Sequence, residues 1–172
     1  RMVPMYAPGL PLLMAPLRRV AGANAVYLVV PALAGLTVWL TFILGRWLDG
    51  EATGIFAALW MASSPAFLSS SFNPLSDVPP TAWWLTALVV SFRPAVGWAA
   101  VAGIATSVAI LTRPNLAPLA VLIALPFARL WASPSRAVGR GGALVVFLAT
   151  ASAGPLVIAA LYNYWFGSPF TS

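Results

Sequence analysis

Long apolar runs separated by short polar breaks fill most of the chain. Six such runs are present, at roughly residues 24–46, 52–69, 78–92, 96–112, 115–131 and 142–165. They have the length of helices, and a bilayer core about 30 Å thick needs about 17 to 25 apolar residues per helix. None alternates as a barrel strand would. The pattern predicts an all-α, polytopic transmembrane helix bundle with about six membrane-spanning segments.

The breaks between the runs hold charges, glycines and prolines. Gly50 lies in a charged turn, and Arg93-Pro94 and Arg113-Pro114 are steps at which helices end, because proline pushes the preceding residue out of the α region. Before the first run, residues 8–19 are apolar but too short to cross a bilayer. They predict a short N-terminal interfacial helix that lies along the membrane surface.

Composition supports a membrane environment. The chain is 61% hydrophobic and 7% charged, whereas a soluble domain carries about 25% charged residues. Its nine basic residues are all arginines, and it has three acidic residues, which gives a net charge of +6. A nucleic-acid surface needs clustered phosphate contacts, but the only adjacent basic pair is Arg18-Arg19. We therefore expect membrane lipids as partners and no nucleic acid.

The chain contains no cysteine and no histidine. This excludes disulfides, zinc sites built on sulfur or imidazole, and nucleophile pairs that depend on histidine. Proton chemistry would have to use carboxylates. No cofactor is identified, and a divalent metal is the one candidate.

Arginine placement indicates the orientation, because cytoplasmic loops are enriched in arginine. With the turn at Gly50 inside, the inner set comprises Arg46, Arg93, Arg129, Arg136 and Arg140, and the outer set comprises Arg1, Arg18, Arg19 and Arg113. The use of arginine without lysine, beside abundant alanine and glycine, favours a GC-rich bacterial genome and so a bacterial inner membrane.

Two packing features follow from side-chain size. The small residues Ala99, Gly103 and Ser107 recur at four-residue spacing, which favours close helix packing within the chain over dimerisation. Four tryptophans away from the predicted membrane boundaries are interpreted as packing or cavity-lining residues: Trp39, Trp60, Trp83 and Trp84.

Asp77 is the only acid outside the turn at Gly50. As the residue before a helix that starts with prolines, it can be read as an N-cap, which the helix dipole also favours. Alternatively, its carboxylate at the outer interface could contact a lipid headgroup or bind a divalent metal.

Arg113 lies at the break between two apolar runs. It could extend its guanidinium to the outer interface without a further role. Arginine in an apolar layer usually faces a cavity and a partner, however, and its planar fork suits two phosphate oxygens. A phosphate-binding role is the favoured interpretation.

Three further polar residues are weaker candidates for donor or acceptor binding. Tyr6 precedes a tight turn at Pro8-Gly9, Asn73 lies in the break before Asp77, and Asn163 is an amide at the end of the last run.

Four stretches resemble the membrane-embedded glycosyltransferases of the dolichyl-phosphate-mannose protein mannosyltransferase type, which include the aminoarabinose transferases. They are residues 6–13, Ser64-Pro65 with Ser76-Asp77, the stretch from Gly103 to Arg113-Pro114, and Tyr162-Asn163 with residues 166–170. Their order and spacing carry the resemblance over nearly the whole chain. Residues 1–172 would then be part of one glycosyltransferase domain of this GT-C type that continues beyond both ends.

The resemblance implies transfer of a sugar from a polyprenyl-phosphate donor to a lipid or protein acceptor on the extracytoplasmic side. Members of the family use an acid in the first outer loop as catalytic base. That loop would precede Arg1, so no catalytic residue is expected within the chain, which would be inactive alone. Asp77 would support the metal or the acceptor, and Arg113 would support the donor phosphate.

Two other classes of membrane protein compete with the enzyme. A transporter or flippase subunit would also have broken helices and a charge at a break, although no internal repeat is visible in the six runs. A purely structural subunit would not need Asp77 and Arg113 near the same face.

Overall fold

The chain folds into a bundle of helices. The computed structural model describes residues 7–73, 77–93, 95–132 and 140–167, and no strand occurs in these ranges. The α-helices are α1 (Gly9–Ala21), α2 (Val29–Asp49), α3 (Glu51–Ser63), α4 (Pro65–Phe72), α5 (Val78–Ser91), α6 (Val96–Thr112), α7 (Leu119–Ala132), α8 (Arg140–Ala151) and α9 (Ala153–Phe166). Short 3-10 helices at Ala23–Leu28 and Pro114–Leu116 precede α2 and α7. The predicted all-α class is confirmed for these residues.

Helices α2 and α3 form a tight hairpin because glycines lie at its turn and along its seam. Gly50 joins the two helices with φ 92°, a left-handed value that L side chains rarely adopt. A Cβ on Gly45 would lie 2.8 Å from the Cα of Gly54, so the backbones meet there without side chains between them.

The main core is built from α5, α6, α7 and α8. Phe127 of α7 and Phe147 of α8 are fully buried and stack with ring centroids 5.4 Å apart. A Cβ on Gly103 would overlap Thr150 and lie 2.7 Å from the Phe147 carbonyl oxygen, and one on Gly154 would overlap the Ser107 carbonyl. The predicted small-residue stripe therefore is an intramolecular helix contact.

A second apolar cluster joins the first helices to α5. Val30 and Leu33 of α2 pack with Val78 and Ala82 of α5. Leu10 and Met14 of α1 cover this cluster. Helix α1 thus lies beside the N-terminal end of α5, where Asp77 is placed.

The prediction of about six membrane-spanning segments is not supported by the helix lengths. Two helices in the described ranges are long and apolar enough to cross a membrane, Ala23–Asp49 and Gly142–Phe166. A third is added if Glu51–Ser63 and Pro65–Phe72, bent by 63°, form one span. Helix α5, with 14 residues, is only about 21 Å long, less than the bilayer core of about 30 Å.

A helix breaker divides one of the apolar runs into two helices. The run at 52–69 is interrupted at Ser64, whose ψ of 120° is extended, because the next residue is Pro65. Large apolar side chains nevertheless face outward, for example Trp60 at 82% exposure. Such exposure, together with the two long apolar helices, indicates a membrane-associated protein.

The two ends of the bundle carry different residues. The Trp47 and Phe92 rings meet edge to face at 6.2 Å, which places Arg46 near Arg93, and Arg93 lies 4.3 Å from the centroid of the Trp98 ring. These contacts agree with the predicted grouping of Arg46 with Arg93. Arg1 and Arg136 lie outside the described residues.

Candidate functional site

Asp77 and Arg113 form an ion pair at the opposite end of the α5–α6 hairpin. Oδ1 of Asp77 lies 2.8 Å from Nη1 of Arg113. The two side chains are about half exposed, at 51% and 44% respectively. The pair exists because α5 starts after Asp77, α6 ends before Arg113, and the two helices pack against each other.

The carboxylate of Asp77 does not cap α5, although Asp77 occupies the N-cap position. An N-cap side chain accepts a hydrogen bond from the backbone N–H of the second or third helical residue. In α5 these residues are Pro79 and Pro80, which have no N–H. The carboxylate makes no capping bond, so it is available for Arg113. Asp77 therefore takes the predicted N-cap position, but its side chain does not cap the helix.

Arg113 is held at the end of α6 by backbone geometry. Its N–H donates to the Ala109 carbonyl at 2.9 Å, and its φ and ψ of −149° and 84° take the chain out of the helix before Pro114. The Thr112 hydroxyl also donates to the Ala109 carbonyl, at 2.8 Å. The guanidinium starts from a fixed helix end and keeps donors beyond those facing Asp77, since arginine has five N–H groups.

An apolar cavity of about 330 Å³ lies directly beside Arg113. Its walls come mainly from α5, through Trp84 and Leu88, and from the segment after Arg113, through Leu116, Leu119 and Leu122. Leu122 is 56% exposed, so the cavity opens at the surface of the bundle. Among the described residues, Arg113 is the only charged one in its wall. The arrangement places one cation at the edge of an apolar hollow.

Helix α1 approaches this site through a glycine. A Cβ on Gly9 would overlap the backbone of Leu111 and Thr112, the last residues before Arg113. The turn at Pro8-Gly9 therefore packs against the end of α6, and Leu12 donates its N–H to the Pro8 carbonyl at 3.0 Å.

The other predicted site residues are not part of the ion pair. Tyr6 lies outside the described residues. Asn73 is exposed, and its Nδ2 donates to the Ser69 carbonyl at 2.8 Å, which ends α4. Asn163 is exposed in the last turn of α9. Gly103 of α6 meets Thr150 of α8, and Ser107, further along α6, meets Gly154 of α9. Helix α6 therefore runs parallel to α8 and α9. Asn163 thus lies at the same end of the bundle as Arg113.

The metal candidate has few ligands around it. Within the described part of the chain, no three acidic side chains come together. Asp77 would hold a divalent cation only with additional oxygens from a ligand or from water.

A cavity beside Arg113 was expected from the sequence, but most of the residues in its wall were not identified. Trp84 is 8% exposed and lines the cavity, as predicted, but Trp39 and Trp60 face outward at 59% and 82% exposure. Leu116, Leu119 and Leu122 recur at three-residue spacing, which places them on one side of a helical segment. That spacing does not by itself distinguish a cavity wall from a lipid-facing surface.

Known proteins give no guide to the function of this chain, which has to be argued from the site itself. No protein-family model matches the chain, and no curated protein or solved structure is significantly similar to it.

Proposed function

We propose that the chain is part of a membrane-embedded glycosyltransferase that moves a sugar from a polyprenyl-phosphate donor to a lipid or protein acceptor. The observation that carries this proposal is the position of Arg113, which pairs with Asp77 and also lines the apolar cavity. A polyprenyl phosphate has an anionic head joined directly to an apolar chain. A cation at the edge of an apolar hollow is the complementary arrangement.

The balance of polar and apolar groups favours this ligand over a soluble phosphate compound. Trp84, Leu88 and Leu122 offer apolar contact area next to the guanidinium, and burial of apolar ligand surface is worth about 25 cal/mol per Å². Arg113 can direct two parallel N–H groups at phosphate oxygens. A sugar nucleotide would leave the apolar wall uncovered.

In the proposed reaction, Arg113 stabilises the leaving group. A base deprotonates an acceptor hydroxyl, the oxygen attacks the anomeric carbon, and the bond from that carbon to the phosphate oxygen breaks. The phosphate leaves with the bonding electrons, and a guanidinium already oriented toward it lowers the energy of the developing charge. Asp77 is a positioning residue that holds Arg113. The resemblance implies that the base is an acid of the family's first outer loop.

The proposal includes more membrane crossings than the two or three long spans. Helices α5, α6 and α7 would also cross the membrane, in a locally thinned bilayer or with tilted neighbours, because hydrophobic mismatch is accommodated in these ways. The end with Asp77 and Arg113 would face the extracytoplasmic side of a bacterial inner membrane. The end with Arg46 and Arg93 would then be cytoplasmic, in agreement with arginine enrichment there.

A transfer assay tests the proposal. The full-length protein in membranes is incubated with polyprenyl-phosphate mannose or polyprenyl-phosphate aminoarabinose, and release of polyprenyl monophosphate is followed by mass spectrometry. Arg113→Ala should reduce release at least tenfold with unchanged membrane insertion, because removal of one charge-stabilising donor costs about that much or more in rate. Arg46→Ala, an exposed arginine at the other end, is the matched control. Equal loss of release and insertion would mark Arg113 as structural.

The bent α3–α4 pair favours a second candidate, a flippase or transporter subunit. Helices broken near the middle of a membrane are typical of substrate pathways, and α3 and α4 meet at 63°. A flippase would carry the intact polyprenyl-phosphate sugar across the bilayer. Transbilayer movement of the donor without formation of a new glycosidic bond would select this candidate over the enzyme.

A further inference from the structure

We propose that the hollow between α1 and the 3-10 helix Ala23–Leu28 binds the headgroup of an anionic glycerophospholipid from the surrounding bilayer. The hollow has a volume of about 900 Å³ and includes Met14, Arg18, Arg19, Val26 and Tyr27 in its wall. It shares no wall residue with the cavity beside Arg113. It is therefore a separate site, and it does not depend on the proposed transfer reaction.

Charge identifies the class of ligand. Arg18 and Arg19 are both exposed, and no ion pair joins either of them to an acid among the described residues. The chain has only three acids. Asp77 is paired with Arg113, and the other two flank Gly50 at the far end of α2. No described acid lies opposite Arg18 and Arg19, so an anionic ligand in the hollow would supply the negative charge.

Helix-end electrostatics alone does not account for this arrangement. Both arginines lie in the last turn of α1, where a cation interacts favourably with the helix dipole. That interaction does not require a hollow beside them. Two guanidinium groups next to an open space with Met14 and Val26 in its wall suit a phosphodiester attached to a glycerol backbone.

The position of the hollow along the bundle also suits a lipid headgroup. Val30 and Leu33 pack at the level of Val78, where α5 begins. The helix Ala23–Asp49 therefore extends about 10 Å beyond that level through its first turns. Leu12, Leu17 and Val20 of α1 are exposed and apolar, so acyl chains of the bound lipid would have side chains to contact.

Lipid titration tests this site. The purified protein is titrated with phosphatidylglycerol or phosphatidylcholine, and bound lipid is counted by native mass spectrometry. The wild type should prefer phosphatidylglycerol, and the Arg18→Gln/Arg19→Gln variant should bind it about thirtyfold more weakly, the effect expected of two basic residues near a lipid surface. Its affinity for phosphatidylcholine should not change. Arg18→Lys/Arg19→Lys keeps the charge and should retain most of the preference.

Controls separate the alternatives. The matched variant Arg46→Gln/Arg93→Gln, at the other end of the bundle, should leave the preference intact, and circular dichroism should show equal helix content in all variants. Equal affinity of the wild type for both lipids would overturn the proposal. So would an equal loss in the matched variant, displacement of the lipid by millimolar inorganic phosphate, or displacement by an equimolar amount of polyprenyl monophosphate.

Discussion

Oδ1 of Asp77 lies 2.8 Å from Nη1 of Arg113, and this contact joins the start of one helix to the end of the next. The carboxylate is available because Pro79 and Pro80 give it no backbone N–H to cap. The guanidinium in turn lies beside an apolar cavity. The site therefore depends on two features that are local in the sequence, a pair of prolines and an arginine at a helix end.

Neutralising Asp77 should tighten the binding of a phosphate lipid. Asp77→Asn keeps an oxygen that can accept from Arg113 but removes the negative charge that competes with phosphate. Stability should change by less than about 1 kcal/mol, since exposed ion pairs contribute about 0.2–1 kcal/mol. We expect the affinity for C55 polyprenyl monophosphate to rise several-fold, measured by scintillation proximity with labelled lipid.

The same variant distinguishes a metal role for Asp77. If Asp77 bound a divalent cation that bridges to the phosphate, Asp77→Asn would weaken binding, and chelation of divalent cations by EDTA would weaken it in the wild type as well. Weaker binding in both experiments would contradict the assignment of Asp77 to Arg113.

Adding a side chain at Gly9 should loosen α1 from the site. A Cβ there would overlap the backbone of Leu111 and Thr112, and backbone cannot move aside as a flexible side chain can. Gly9→Ala should lower stability by about 1–3 kcal/mol, the usual effect of overpacking. The thermal midpoint in detergent measures this. Gly35→Ala, in open space on α2, is the control and should be neutral or slightly stabilising; equal losses would contradict the prediction.

Gly103 tests the contact between α6 and α8. In Gly103→Ala the methyl group would overlap Thr150 and approach the Phe147 carbonyl oxygen, with an expected loss of about 1–3 kcal/mol. Gly97→Ala on the same helix meets nothing and should not destabilise. Thr150→Ala in the Gly103→Ala background should restore part of the thermal midpoint. A midpoint for Gly103→Ala equal to that of Gly97→Ala would show that the helices do not approach this closely.

Narrowing the cavity should affect the lipid chain and not the phosphate. Leu122 lines the cavity but is 56% exposed, so Leu122→Trp adds volume there with little strain on the core. We expect C55 polyprenyl monophosphate to bind several-fold more weakly and inorganic phosphate to compete with unchanged strength. Leu125→Trp, on the same helix and outside the cavity wall, is the matched control. Unchanged lipid affinity in Leu122→Trp would remove the cavity from the proposal.

The positions of the helices could be predicted from the sequence, but the breaks within some runs could not. The apolar runs are long and strongly hydrophobic, which is sufficient to predict helices in a membrane. Their breaks depend on single residues: Pro65 interrupts one run and divides it into α3 and α4. Two or three long spans resulted instead of six. Hydropathy averages over such breaks and therefore does not show where one run divides into two helices.

The two charged residues and a cavity beside Arg113 could be predicted, whereas the direct contact of the pair and most of the cavity wall could not. Asp77 and Arg113 stand out because charges are rare in this chain. Their pairing depends on α5 and α6 packing side by side, which is a tertiary property. Asn73 was predicted as a site residue but has a local structural contact instead, since its amide donates to the Ser69 carbonyl one helical turn earlier. A polar residue at a helix end often serves the backbone.

The central claim is that Arg113 recognises the phosphate of a lipid whose chain occupies the adjacent cavity. The most direct measurement compares the dissociation constants of C55 polyprenyl monophosphate and the uncharged C55 polyprenol, for the wild type and Arg113→Ala. We expect the wild type to bind the phosphate form at least tenfold more tightly, because a hydrogen bond to a charged group contributes about 1.5–3 kcal/mol, and Arg113→Ala to bind both lipids alike. A preference for the phosphate form that is equal in the two proteins would contradict the account.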